Sequence, residues 1–269
     1  MAKYLYEGNL NEPVNYRKKG SIEYYIRGTV KTNGHTYERY GIKTHFIEAG
    51  ENYLNLIQQY IVPFIEQGDI VSVSEKVISM CQKNIVHMED IKLHPLTKLL
   101  SKFGKKTDSG IGITQPYKLQ LMIDINGFGK VLYAGIIGTF GKLMGKRGLF
   151  YKILGEETAG IDGFYNHSAF EQYHTIATLN PKEPNNVCNE IYERFHTPIM
   201  IVDANDIHVN ILGKCTALNN ISNKNLSALI EDNPAGQDDE QTPFIIIRDI
   251  TEKKAEPYIP KKPLFAPSL

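Results

Sequence analysis

Apolar and polar positions along this chain fall into short blocks, and the spacing inside each block predicts its element. Residues 21–32 and 35–44 carry Tyr, Ile, Val and Thr on either side of Asn33-Gly34. That dipeptide accepts positive φ at both centres of a tight turn, so the two blocks are expected to pair as a hairpin. From Tyr53 the apolar residues Leu54, Ile57, Ile61, Phe64 and Ile65 recur at helical spacing, and Pro63 is expected to shorten the last turn. Ile70, Val71 and Val73 predict a buried strand that delivers Ser74-Glu75-Lys76 to its end. Residues 87–106 read as a helix and 107–112 as a loop. Leu119, Leu121, Ile123 and Ile125 alternate with their neighbours, which predicts a half-buried strand, with Lys130–Ile137 returning as its partner after Asn126-Gly127.

In the second half, Val187, Ile191 and Phe195 predict a short amphipathic helix with Asn185 as N-cap, stopped at His196-Thr-Pro198. Ile199 to Val202 has the length of a buried strand and ends at Asp203, Asn205 and Asp206. Residues 216–230 read as a polar, weakly helical connection, and Asn233 to Pro243 as a long polar loop leading into a buried strand at Phe244–Ile247. The tail from Thr251 holds four of the thirteen prolines and is expected to run extended or disordered. Helices and strands thus mix along the chain, an α/β pattern without internal repeats.

Composition narrows the classes of function. The 269 residues are 42% hydrophobic and 22% charged, as in a soluble globular protein. Thirty basic and thirty acidic residues cancel, which removes any electrostatic case for nucleic acid or an anionic membrane. No apolar run approaches the roughly 20 residues needed to span a bilayer, so no membrane partner is expected. Cys81, Cys188 and Cys215 suit neither a disulfide framework nor a zinc site, and the expectation is a cytoplasmic protein.

Candidate chemistry is concentrated in three places. Asp203, Asn205 and Asp206, with His208 nearby, are oxygen-rich side chains at the end of a strand, where hard cations such as magnesium or manganese find ligands; the same residues suit a simple Asx-type turn. The stretch 135–148 carries glycines at 135, 138, 141, 145 and 148 and cations at Lys142, Lys146 and Arg147. Glycine lets backbone N–H groups approach an anion, so this cationic loop is the best phosphate-binding candidate, although its spacing is not that of a Walker A loop; the same residues suit a close-packed glycine-rich segment with solvated cations. Asp162, between Gly160 and Gly163, is a further metal or substrate ligand candidate or a turn residue. No His-Glu-x-x-His pair and no Gly-x-Ser-x-Gly elbow is present, so zinc peptidase and serine hydrolase chemistry have no support. Acidic ligands together with a cationic glycine-rich segment suit phosphoryl transfer.

Four segments in register resemble the coenzyme F420-0:gamma-glutamyl ligases. They are Gly68-Asp-Ile-Val-Ser-Val-Ser-Glu-Lys-Val-Ile-Ser79 with the preceding Ile47 to Gly50, Phe128 to Ile136, the helix and strand ending at Asp203, and Asn233-Pro-Ala-Gly through Thr242-Pro-Phe-Ile-Ile-Ile-Arg248. The resemblance covers about residues 40 to 250 and implies two interleaved α/β lobes with mixed and antiparallel sheets. It implies a homodimer that binds GTP and a divalent metal and joins glutamate to an acid through an acyl phosphate. On this basis residues 1–250 form one such unit and 251–269 a proline-rich tail. Asp203 matches a metal ligand, Thr44 to Ile47 and Glu75-Lys76 match nucleotide-contacting segments, and Gly236 to Pro243, with Gln241, matches a GTP-binding loop. Ile137 stands where the family has a second metal carboxylate, Ala204 replaces a Thr and Met80 a Lys. The chain therefore looks like a divergent bacterial branch, and two functions stay open. One is a ligase for a different acid, using GTP or ATP, with Asp203 and Asp162 as catalytic residues. The other is a non-catalytic protein that binds a nucleotide or phosphorylated ligand.

Overall fold

The computed structural model describes residues 16–102, 114–146, 148–165, 170–204, 209–236 and 241–252. In chain order the strands are β1 (Tyr16–Lys19), β2 (Ile22–Thr32), β3 (His35–Ile42), β4 (Ile70–Ser74), β5 (Ile85–His87), β6 (Asp162–Gly163), β7 (Ile176–Thr178), β8 (Ile199–Ala204), β9 (Val209–Lys214) and β10 (Phe244–Asp249). The helices are α1 (Tyr53–Leu56), α2 (Glu75–Cys81), α3 (Pro95–Ser101), α4 (Pro116–Asn126), α5 (Phe128–Leu143), α6 (Leu149–Leu154), α7 (Glu156–Ala159), α8 (Pro184–Phe195) and α9 (Asn223–Ala228). They divide into two compact units, one made mainly of residues 82–182 and the other of residues 6–81 and 183–269. The first unit is thus an insertion in the chain of the second.

The larger unit is a mixed sheet in the order β1-β2-β3-β10-β4-β8-β9. Every neighbouring pair is antiparallel except β4 and β8, where Val71 to Ser74 run level with Ile199 to Val202. A parallel pair needs a long crossover, and here α2, the inserted unit and α8 supply it. The strands at the middle of the sheet are continuous apolar runs, with Ile246, Val71, Val73 and Ile199 to Ile201 fully buried, as expected of strands covered on both faces. The predicted hairpin is present: Thr32 pairs with His35, and Asn33 (φ 52°) and Gly34 (φ 81°) make the turn. Arg248, stacked over Tyr40 and Phe64, binds Asp69 at 2.7 and 2.9 Å and Glu66 at 2.7 Å and ties β10 to the loop before β4.

The helix expected over 53–65 is tighter at its start and wider afterwards. Asn52 caps α1 by accepting the Leu54 N–H at 2.8 Å, and the chain then winds into a π-helical turn, Ile57–Ile61, closed by Val62 N–H on Ile57 O at 3.0 Å. α8 buries Val187 and Ile191 as predicted, and Cys188 with them, while Phe195 is half-buried; Pro184 opens it and Asn185 is not its cap. The Asn185 Oδ1 accepts the Lys214 N–H at 3.0 Å instead, fastening α8 to β9. Strand β9 itself was not anticipated; the chain returns along β8 as an antiparallel partner, Asp203 opposite Asn210.

The smaller unit departs most from expectation. Residues 118–125 and 130–137 are not a hairpin but parts of two helices, α4 and α5, which meet at Gly127 with a bend of 116°. Pro116 at the first position and Gln115, whose Oε1 accepts the Lys118 N–H at 2.9 Å, start α4, and consecutive residues Lys118 to Met122 are buried, which alternation alone cannot reveal. The predicted helix over 87–106 is shorter: β5 ends at His87, a 3₁₀ turn covers Met88–Asp90, and α3 runs from Pro95 to Ser101. A three-stranded sheet, β5-β7-β6, packs beside these helices around Met122, Val131, Ala134, Phe164 and Ala177. The loop expected over 107–112 and the tail from Lys253 lie outside the described residues.

Candidate functional site

One end of the large sheet gathers segments that are far apart in the chain. β3 leaves the sheet at Ile42, directly opposite Phe244, where β10 enters; Phe244 in turn faces Val73, one residue before β4 ends. β8 runs parallel to β4 with Val202 level with Ser74. Thr44, Gln241, Glu75-Lys76 and Asp203 therefore emerge side by side at the same edge, in that order. The backbone stitches them together: Thr44 N–H donates to Gln241 O at 3.0 Å, and Ser74 N–H to Pro243 O at 3.0 Å. Three strand spacings, about 14 Å, separate the β3 end from the β8 end. Thr44 is buried, whereas Gln241, Glu75, Lys76 and Asp203 are half-buried.

The loop before β10 is held to the sheet by two arginines, Arg39 buried and Arg27 half-buried. Arg39, 3% exposed, grips both carboxylate oxygens of Asp232 and donates to the Arg27 carbonyl at 2.9 Å. A bidentate guanidinium–carboxylate pair fixes orientation as well as distance. Arg27 donates to Thr242 Oγ1 at 3.2 Å, and Thr242 Oγ1 donates to Ala235 O at 2.6 Å. Gly41 leaves the room these groups need, since a Cβ there would sit 3.0 Å from Arg27 Nε and 3.3 Å from Thr242 Cβ. Between these anchors the chain takes positive φ at Asn233 (49°), Gly236 (78°) and Gln241 (53°), and residues 237–240 are not among those described. Sequence reasoning missed Arg27, Arg39 and Asp232. The available signal was Glu38-Arg39, two charges inside an apolar strand pattern.

Next to Thr44, His45 Nδ1 lies 2.6 Å from the Tyr60 hydroxyl and Nε2 2.8 Å from Glu51, whose other oxygen accepts the Glu48 N–H at 2.6 Å. This ordered cluster too went unpredicted. The nearby Cys81 thiol is pushed up to about 12 by burial and by Glu51, so it stays protonated and is no nucleophile at neutral pH.

The remaining expected site residues lie elsewhere or outside view. Asp162 is in β6 of the smaller unit, where its backbone carbonyl accepts from Thr178 Oγ1 at 3.1 Å and its carboxylate accepts the Tyr165 hydroxyl; it is a strand residue and not a turn. Lys142 and Lys146 are also in that unit. The glycine-rich stretch expected to be a loop is largely α5, so the N–H groups of Gly135, Gly138 and Gly141 belong to a helix and cannot cradle a phosphate. Lys142 is in the last turn of that helix and Lys146 lies three residues beyond it, so neither stands beside the free N–H groups of a helix start that could cradle a nucleotide phosphate. Ile137 is half-buried inside α5. Arg147, Asn205, Asp206 and His208 lie outside the described residues. Among the described residues no three His, Cys, Asp or Glu side chains form a metal cluster. The carboxylates at the described edge are those of Asp203, in β8, and Glu75, the first residue of α2 after β4.

A sequence model of the F420-0:Gamma-glutamyl ligase family matches residues 41–214, more than half of the 269. The chain belongs to this family. The matched span of the F420-0:gamma-glutamyl ligase family runs from the end of β3 to the end of β9, and so contains Thr44, Glu75, Lys76 and Asp203, while Gly236 and Gln241 fall beyond it. Its mixed α/β architecture agrees with the class expected from the sequence. No curated protein matches the chain significantly. Among the described residues no single helix is long and apolar enough to cross a membrane.

Proposed function

We propose that the chain is a nucleotide- and divalent-metal-dependent carboxylate–amine ligase of the gamma-glutamyl type, acting through an acyl phosphate on an acid other than the coenzyme precursor. The observation that carries this is the shared sheet edge, where Thr44, Gln241, Glu75-Lys76 and Asp203 stand in adjacent positions although they come from four separate segments. In this reading Thr44, Lys76, Gly236 and Gln241 hold GTP or ATP, and Asp203, with Asn205 and Asp206, holds magnesium or manganese beside the phosphates. The substrate carboxylate attacks the terminal phosphorus and releases the nucleoside diphosphate. A glutamate-like amine then attacks the acyl carbon, a C–N bond forms and inorganic phosphate leaves. Residues 1–250 are taken as one ligase-like unit of two lobes interleaved in the chain, working as a homodimer in the cytoplasm.

The test is direct. Calorimetry should show nucleotide binding that tightens with manganese, and Asp203→Asn should weaken the manganese-dependent part at least tenfold, roughly 1.4 kcal/mol, at unchanged melting temperature. Incubation with nucleotide, manganese, glutamate and a panel of carboxylic acids should release phosphate only with the right acid, and Asp203→Asn should abolish it. Manganese affinity unchanged in the variant overturns the metal assignment. Ile137, inside a helix where the resemblance would place a carboxylate, favours a second reading, a non-catalytic binder of nucleotide or phosphorylated ligand. Nucleotide binding without phosphate release under every condition would select that reading.

A further inference from the structure

Seven of the eleven exposed large apolar side chains among the described residues lie within residues 128–144, on α5 and the turn after it. Leu132, Ile136, Phe140 and Leu143 follow one another at helical spacing and form a single stripe, 45%, 49%, 62% and 81% exposed. The inward side of the same helix is made of its smallest residues. Val131, Ala134 and Gly141 are buried, and a Cβ at Gly141 would strike Leu149 at 2.3 Å. An ordinary surface helix turns its large apolar residues to the core; α5 turns them to solvent and packs through glycine and alanine.

Charge in this region is equally one-sided. Residues 125–155 contain no Asp or Glu but carry Lys130, Lys142, Lys146, Arg147 and Lys152, in a chain whose thirty acids balance thirty bases. Lys142 and Lys146 are exposed and flank Leu143 and Met144, themselves 81% and 73% exposed. We propose that α5 and the turn that follows it are a docking surface for an anionic lipid leaflet, with the apolar stripe entering the headgroup boundary and the lysines pairing with lipid phosphates. A helix of 16 residues is about 24 Å long, short of the roughly 30 Å hydrocarbon core, and the 116° bend keeps α4 and α5 from acting as one span, so α5 lies in the plane of the surface. Charge decides the occupant. A second copy of the chain would bring two all-cationic stretches together, whereas an anionic leaflet neutralises them. The absence of a spanning segment, which led the sequence to be read as having no membrane partner, does not bear on surface binding.

Co-sedimentation of the full chain with vesicles provides the test, comparing phosphatidylcholine alone with an equimolar mixture of phosphatidylcholine and phosphatidylglycerol. The chain should bind the anionic vesicles at least tenfold more tightly, and added salt should weaken that binding. Each basic residue at such a surface contributes about fivefold, so Lys142→Glu with Lys146→Glu should lower affinity by more than tenfold. Phe140→Ser with Leu143→Ser should abolish binding while leaving the circular dichroism spectrum unchanged; the lysine pair, fully on the surface, serves if the apolar pair does not fold. Failure of the full chain to sediment with anionic vesicles overturns the proposal, as does equal sedimentation of both double variants. A dimer in analytical ultracentrifugation that Phe140→Ser with Leu143→Ser converts to monomer would identify a second copy as the occupant and overturn it as well.

Discussion

The two units solve the same problem of burying apolar surface in opposite ways. In the sheet unit thirty buried apolar residues, among those described, form one core. In the inserted unit the core cluster has ten residues, and the most apolar helix keeps its large side chains outside. The difference shows that burial in one part of a chain is no guide to another: most of the exposed large apolar side chains among the described residues belong to the helical unit.

The sharpest test of that contrast is the cost of truncating apolar groups. Ile246→Ala in β10, at a position with no solvent exposure between β3 and β4, should lower unfolding free energy by about 4 kcal/mol in denaturant titration. Gly163→Ala should cost about 3 kcal/mol in the inserted unit despite its smaller core. Gly163 has φ of 153°, and a Cβ there would lie 2.3 Å from Ala177 Cα and 2.4 Å from Ile176 O in the paired strand. A loss under 1 kcal/mol at Gly163 would mean that the small sheet yields easily.

Alkali should weaken the sheet unit next, where more such groups lie, although burial also raises Tyr151 in the inserted unit. Burial pushes the thiols of Cys81 and Cys188 in the sheet unit up to about 12 from 9.0, and burial with the Glu190 bond pushes Tyr53 from 10.0 to about 12. Folded values above unfolded ones favour the protonated, folded state, so this stability is complete below pH 9 and is lost as pH rises from about 9 to 12. Denaturation midpoints should fall over that window, and Cys188→Ala should make the fall shallower. At the small end, Leu143→Ser should change stability by no more than about 0.5 kcal/mol, because the side chain it removes is 81% exposed. A larger loss would show that α5 is covered after all.

The sequence exposed the sheet unit well and the inserted unit poorly, for one physical reason. Ile70–Val73, Ile199–Val202 and Phe244–Ile247 are short, mainly apolar runs of strand length bounded by turn residues, and Asn33-Gly34 stands between two blocks of strand-forming residues, whereas Asn126-Gly127 proved to join two helices. At 118–137 apolar residues are dense enough to suit either a strand or a helix, and the glycines of α5, of which Gly138 and Gly141 serve close packing against Phe150 and Leu149, suggested a phosphate site. The candidate site was legible as residues but not as a place. Thr44, Lys76, Asp203 and Gln241 could be named, yet only strand order puts them on one edge, and the arginines that hold the 232–242 loop carry no motif.

The position of β10 has a consequence for how this protein is made. The last described strand of the chain sits in the middle of its sheet, between β3 and β4, which have no pairing with each other without it. During synthesis the nascent polypeptide therefore holds two incomplete half-sheets, each with a bare apolar edge, until residues 244–249 clear the ribosome. Everything upstream, including the inserted unit, must wait beside those open edges, a stage at which unpaired strands invite misassociation and chaperone capture. A ribosome stalled before β10 should release a chain without the sheet; one stalled well after it should release a folded molecule.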